Sequence, residues 1–163
     1  SVGGGIGEWT MKRILLVCMG NICRSPMAEC LLRHRAEEAG LKDLEIDSAG
    51  IGGWHAGESP DHRMRSTAAD HGITVEGAAR QITVSDLETF DLILCSDAEI
   101  LASVRGLGRG RAEIGLMMDH HSSQTGEDVP DPYYGGDEGF VQVFTLLDDA
   151  MRGLIRHLGG RPA

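Results

Sequence analysis

Residues 14–26 read ILLVCMGNICRSP, and the order of residue types in this stretch decides the fold. ILLVC, residues 14–18, is a short unbroken apolar run, the pattern of a strand covered on both faces. MGNIC has no helical or strand period and carries Gly20 and Asn21, which suit a tight loop. Ser25 is placed to N-cap a helix and Pro26 fits its first turn. Met27, Ala28, Leu31, Leu32, Ala36 and Ala39 then recur at helical spacing, and Gly40 stops the run. Residues 14–40 therefore read strand, loop, helix.

The same alternation continues outward. Leu44–Ser48 reads as a second strand, ended by Ala49-Gly50, and residues 50–60 as a Gly-rich loop holding Trp54 and His55. Asp61–His71 reads as a helix, Phe90–Cys95 as a third strand, Ala98–Val104 as a helix and Glu113–Met118 as a fourth strand. Residues 119–137 form a long polar loop, of the kind that often carries function. Over Glu138–Leu158, Phe140, Val143, Phe144, Leu147, Met151, Leu154, Ile155 and Leu158 make one apolar helical stripe. This order predicts a single-domain, three-layer α/β fold, with a four-stranded parallel sheet flanked by helices on both faces.

Composition bounds the function. The 163 residues carry 15 Lys+Arg against 25 Asp+Glu, a formal net charge of −10. Such a balance disfavours binding to nucleic acid or to an anionic membrane surface. No apolar run is long enough to predict a membrane span. Cys18, Cys23, Cys30 and Cys95 lack zinc spacing, the seven histidines do not cluster, and no metal or cofactor is expected. His120-His121 lies in the polar loop and is expected to face solvent. Residues 1–10 lack the basic and apolar regions of a signal peptide. Met11 reads as the native start, residues 1–10 as a flexible extension, 11–158 as the domain and 159–163 as a flexible tail. A reduced, cytoplasmic monomer is expected.

Cys18 and Arg24 lie on either side of a five-residue loop that runs from a strand's carboxyl end into a helix N-terminus. Ligands of open α/β sheets gather there, and free amides and the helix dipole favour an anion. Arg24 offers a planar fork for two phosphate oxygens. The same field favours the thiolate of Cys18, and Ser25 can donate a hydrogen bond to it. A thiolate under an oxyanion cradle is a nucleophile aimed at phosphorus. A bare C-x5-R is common, however, and Cys18 ending an apolar strand also fits an inert core cysteine. The nucleotide-binding pattern GxxxxGK[ST] is absent. In Pro130-Asp131-Pro132, flanking prolines stiffen the chain around a carboxylate. That carboxylate is either a turn residue or a proton donor to a leaving group.

VCMGNICRSPMAE, residues 17–29, resembles the active-site signature of the low-molecular-weight protein-tyrosine phosphatases. DSAG at 47–50, ARQIT at 79–83, FDLILC at 90–95 and DVPDPYYGG at 128–136 extend the resemblance over residues 12–158. GWHAGESPDHR at 53–63 looks like the bacterial branch. The resemblance implies phosphotyrosine hydrolysis through a phosphocysteine, with Cys18 as nucleophile, Arg24 as phosphate ligand and Asp131 as general acid and base. It makes Met19, Gly20, Asn21, Ile22, Cys23 and Ser25 the phosphate loop, and Trp54, Tyr133 and Tyr134 the walls of a slot. Ser48 would hold Asn21 in a strained conformation, and Cys23 would form a protective disulfide with Cys18; a strand-end turn and a small loop residue are the alternatives. Tyrosine-phosphorylated proteins are the implied partners, and in bacterial relatives often a tyrosine kinase.

The chain departs from the family pattern in places. Asp61-His62-Arg63 stands where Asp-Pro-Arg is usual, and Ser96-Asp97 where Met-Asp is usual. Three other readings remain. An arsenate reductase of the same superfamily needs a relay of further cysteines, and only Cys95 lies in the middle of the chain. A phosphoarginine phosphatase resembles this branch but carries Thr in place of Ile22. A non-catalytic phosphoprotein-binding module needs neither Cys18 nor Asp131.

Overall fold

A computed structural model describes residues 12–133 and 135–159. Tyr134, residues 1–11 and residues 160–163 lie outside the described residues, so the expectations for the extension, most of the tail and one slot wall fall there. The first strand, β1 (Lys12–Cys18), sits inside the sheet. It pairs in parallel with β2 (Leu44–Gly50) on one side and β3 (Leu92–Cys95) on the other. β4 (Glu113–Leu116) extends the sheet beyond β3, so the order is β2-β1-β3-β4, parallel throughout.

Burial on both faces explains the unbroken apolar run of β1. Ile14 and Leu16 face one core, with helices α1 (Arg24–Glu38), α2 (His62–Ala69) and a C-terminal helix over Asp137–His157. Leu15 and Val17 face a second, smaller core. That core is closed by α3 (Asp86–Thr89) and α4 (Ala98–Arg105), through Leu87, Ile100 and Val104. The C-terminal helix, α5, keeps Phe140, Val143, Phe144, Leu147, Met151 and Leu154 buried, as its stripe predicts.

Topology then places the site. The connection after β1 leads through α1 to β2, and the one after β3 leads through α4 to β4 on the opposite side. The chain therefore diverges between β1 and β3. At such a switch point a crevice opens beyond the strands' carboxyl ends. Cys18 ends β1 and Asp97 follows β3, so both border this crevice.

Several local expectations are corrected. The N-cap of α1 is Cys23, with no side-chain capping bond, and Ser25 lies inside the helix with its hydroxyl turned elsewhere. Residues 86–89 form the extra helix α3. β4 stops at Leu116 because Asp119 accepts the Leu116 amide, and Met117–His120 form a 3-10 turn. His121 is buried: its Nδ1 accepts the amides of Ser123 and Gln124 at 3.1 and 2.9 Å.

Candidate active site

Four carbonyls along the stretch from Cys18 to Cys23 are taken up by the surrounding chain. Cys18 O accepts from the Ile51 amide, Met19 O from Gly52, Ile22 O from Asp61 and Cys23 O from Met27. The amides of residues 19–25 meet no protein acceptor among the described residues. Unused donors converging at a helix N-terminus make an anion cradle. Gly50 permits this closeness, since a Cβ there would lie 2.9 Å from the Asn21 amide and the Met19 carbonyl.

Asn21 is the only non-glycine residue with positive φ among the described residues, at 59°. An L-residue in this region is strained unless its side chain finds compensation. Asn21 spends its amide fully: Nδ2 donates to Ser25 Oγ at 2.7 Å and to Ser48 Oγ at 3.0 Å, and Oδ1 accepts the Arg80 amide at 2.9 Å. Ser48 in turn donates to the Glu29 carboxylate. Ser25 Oγ already accepts from Asn21, so its hydrogen is directed to Cys18 Sγ at 3.0 Å or to the Ala49 carbonyl at 3.4 Å. The network thus runs from a carboxylate to the sulfur. The pairing of Asn21 with Ser48 is present as the resemblance implied.

Arg24 is 3% exposed. Its Nη1 donates to Asp97 Oδ2 at 2.7 Å and to the Val129 carbonyl at 2.9 Å. Nε and Nη2 make no hydrogen bond among the described residues, and Nη2 stands 3.7 Å from Asp131 Oδ2. One edge of the guanidinium is therefore anchored, and the other borders the cleft.

Asp131 holds a turn and also borders the cleft. Its Oδ1 accepts the Tyr133 amide at 3.0 Å, which is the turn role, while Oδ2 faces Arg24 across the cleft. Trp54 and Tyr133 stand on the rim with His55 between them, at ring-centroid distances of 6.2 and 6.3 Å. Trp54 is 65% exposed, so this wall is flared at its outer end. Cys18, Met19, Gly20, Ile22, Cys23, Arg24, Trp54, Asp131 and Tyr133 line one cleft, while Asn21, Ser25 and Ser48 lie behind it.

Two residues at or behind the cleft escape the sequence reading. Asp97 anchors Arg24 with one oxygen and caps α4 with the other, accepting the Ile100 amide at 2.8 Å. In the sequence it stood out only through the Ser96-Asp97 departure from the usual Met-Asp. His55 packs over Gly20, where a Cβ would lie 2.8 Å from its ring, and its Nδ1 meets Glu58 at 3.1 Å. Its neighbour Trp54 was the only sequence signal for it.

All four cysteines are buried and unbridged. Burial pushes the Cys23 thiol far above the usual thiol range, and Asp61, Cys18 and Asp131 add to the effect. Burial also pushes Cys95 up to about 12, and raises Cys30. Among the described residues no cluster of three or more metal-ligating side chains occurs. No helix there is long and apolar enough to cross a membrane.

Comparison with known proteins agrees with this architecture. A family model described as "Low molecular weight phosphotyrosine protein phosphatase" matches residues 13–161. The chain is 45% identical over 149 residues to a low-molecular-weight protein-tyrosine-phosphatase of Streptomyces coelicolor, covering 88% of this chain and 91% of that protein. The crystal structure of YfkJ from Bacillus subtilis superposes with a TM-score of 0.84 at 38% identity, covering 91% of this chain and 94% of that one. That of DARP, a Drosophila arginine phosphatase, superposes with a TM-score of 0.81 at 30% identity, covering 91% and 98%. Sheet order, loop and sequence therefore agree: the chain belongs to the low-molecular-weight phosphotyrosine protein phosphatases, which are phosphoric monoester hydrolases.

Proposed function

We propose that this phosphatase hydrolyses phosphotyrosine in two steps, through a phosphocysteine on Cys18. In the first step the Cys18 thiolate attacks phosphorus in line. The free amides of the loop and the Nε/Nη2 edge of Arg24 hold the three equatorial oxygens. Asp131 gives its proton to the tyrosyl oxygen as the P–O bond breaks. In the second step Asp131 takes a proton from water, which attacks the phosphocysteine and releases phosphate and the thiolate. Ser25 stabilises that thiolate through its hydrogen bond to Sγ.

One observation carries this reading. Cys18 Sγ lies under a loop whose amides are unused, beside an anchored Arg24 whose free edge is 3.7 Å from Asp131. A module that only bound phosphoproteins would need the cradle but neither the sulfur nor the carboxylate. The aromatic rim favours an aryl substrate, since the phosphate must reach the bottom of the cleft. Tyrosine-phosphorylated proteins, a bacterial tyrosine kinase among them, are the partners this implies. The four unbridged thiols accord with a reducing, cytoplasmic setting.

Cys23 also has a place in this reading. Peroxide oxidises the Cys18 thiolate to a sulfenic acid. The Cys23 thiol then condenses with it, forming the disulfide and releasing water.

The likeness to an arginine phosphatase makes phosphoarginine the second candidate substrate. The apolar Ile22 on the cleft wall favours the aryl ring. Arsenate reduction is disfavoured because Cys95 is fully buried in β3. Rates on phosphotyrosine, phosphoarginine and phosphoserine peptides and on arsenate test the proposal side by side. Phosphotyrosine is expected to dominate, with a phosphorylated Cys18 trapped on rapid acid quench. A dominant phosphoarginine rate, or turnover without phosphocysteine, would overturn it.

A further inference from the structure

Arg63 lies at the start of α2 and touches neither Cys18 nor the anion cradle. Its guanidinium nevertheless joins two parts of the site. On one side it pairs with the Asp61 carboxylate, both oxygens lying at 3.3 Å. Asp61 caps α2 by accepting the Arg63 amide at 2.8 Å, and its own amide donates to the Ile22 carbonyl of the phosphate loop at 2.7 Å. On the other side Arg63 Nη2 donates to the Tyr133 carbonyl at 3.0 Å. The Tyr133 amide is the donor that holds Asp131 Oδ1. The Arg63 Cζ also lies over two rings, 4.5 Å from the Phe140 centroid and 5.6 Å from that of Tyr133.

The path is short and polar at each step: phosphate loop, Asp61, Arg63, Tyr133, Asp131. A planar fork suits it, because one edge pairs with a carboxylate while another donor reaches a carbonyl. Phe140 lies on the buried stripe of α5 and is itself fully covered, so the guanidinium rests on a packed face. Asp131 itself sits on an exposed loop between two prolines, with its side chain 43% exposed.

We propose that Arg63 is the positioning residue of the proton donor: it clamps the Asp131 loop to the N-terminus of α2, and so sets the carboxylate's distance from the phosphate cradle. This rests on the assignment of Asp131 as general acid. Arg63 then acts only through Asp131, on protonation of the leaving oxygen and on activation of the attacking water, and kcat/KM reports the first of these. The attacking sulfur and the oxyanion contacts belong to other elements.

The test is the dependence of kcat/KM on leaving-group pKa across a series of aryl phosphates, for wild type, Arg63→Ala, Arg63→Lys, Asp131→Asn and the Arg63→Ala/Asp131→Asn pair. A mispositioned acid harms poor leaving groups most. Arg63→Ala is expected to lose about 10–100-fold on phenyl phosphate, and several-fold less on a nitrophenyl phosphate, so its slope steepens towards that of Asp131→Asn. Inhibition by inorganic phosphate should stay within about twofold of wild type, since the cradle is untouched. Arg63→Lys should recover part of the loss, as it keeps the charge but not the fork. On the Asp131→Asn background, Arg63→Ala should cost almost nothing more.

A uniform loss on all leaving groups, or an additive loss in the double variant, would overturn the positioning role while leaving Asp131 as the acid. An unchanged slope in Asp131→Asn itself would remove the acid and the clamp together. Phosphate inhibition and a melting curve accompany each variant. Arg63→Lys carries the test if Arg63→Ala does not fold.

Discussion

Arg24 Nη1 meets Asp97 Oδ2 at 2.7 Å, and this contact decides which edge of the guanidinium is left for a ligand. A second bond from Nη1 to the Val129 carbonyl fixes the plane. Asp97 does this while its other oxygen caps α4, so one side chain couples a helix start to the Arg24 guanidinium.

Replacing Asp97 should separate these two duties. Asp97→Asn keeps a capping oxygen but weakens a charge-assisted bond of about 1.5–3 kcal/mol. Asp97→Ala also loses the cap, for about 1 kcal/mol more. Both should lower kcat/KM on aryl phosphates by roughly 100-fold, because the fork drifts from its productive plane. Thermal unfolding should rank wild type above Asn, and Asn above Ala.

The nucleophile and the acid separate by what survives their removal. Cys18→Ser is expected to abolish turnover while phosphate still binds, measured by calorimetry. Asp131→Ala should cost about 10²–10⁴-fold on phenyl phosphate, and less on substrates with acidic leaving groups. Aryl-phosphatase activity retained in Cys18→Ser would refute the phosphocysteine route.

Cys23 is held as a neutral thiol by burial and by the surrounding negative charge. It should therefore resist alkylation in the resting enzyme, and act only once Cys18 is oxidised. Cys23→Ser should leave turnover within a few-fold of wild type. After a peroxide pulse its activity should fail to return with dithiothreitol, whereas that of wild type recovers. Mass spectrometry should find Cys18 sulfinic acid in the variant and the Cys18–Cys23 disulfide in wild type.

Acid stability should be sensitive to Asp86. Burial pushes its carboxyl up, but bonds from Arg80 and the Thr83 amide outweigh this and hold it below the usual range. A depressed folded-state pKa gives stability that is present above the unfolded value of about 3.9 and is lost as pH falls through the folded one. Urea unfolding from pH 6 to pH 2 should show wild type losing more free energy than Asp86→Asn. The two curves should converge at the acid end.

Features set by near neighbours in the chain were legible before the structure. β1, the loop and α1 lie within residues 12–38, and their order follows from burial period and turn residues alone. The sheet followed from the same local signals, repeated. What escaped depends on distant partners. Asp97 meets Arg24 across 73 positions, and nothing beside Asp97 in the chain announces that carboxylate's second duty. Ser25 looked like a cap because a cap needs such a hydroxyl; helix entry at Arg24 instead leaves it between Cys18 Sγ and the Ala49 carbonyl. His121 looked exposed because its neighbours are polar, yet two amides close on its ring nitrogen. Asp131 and Tyr133 were both singled out in the sequence and both line the cleft, but Arg63, which meets the Tyr133 carbonyl, lies 70 positions from it.

The carbonyls of the phosphate loop are tied down by Ile51, Gly52 and Asp61, and Asn21 is braced on three sides. The cradle thus owes its shape to the protein and not to its guest. Such a rigid mould grips a free tetrahedral oxyanion as readily as an esterified one. On the proposed mechanism, product and substrate are expected to compete at the phosphoryl end, with the aromatic rim as the difference between them. Added inorganic phosphate should therefore slow aryl-phosphate turnover competitively, as initial rates at several phosphate concentrations would measure.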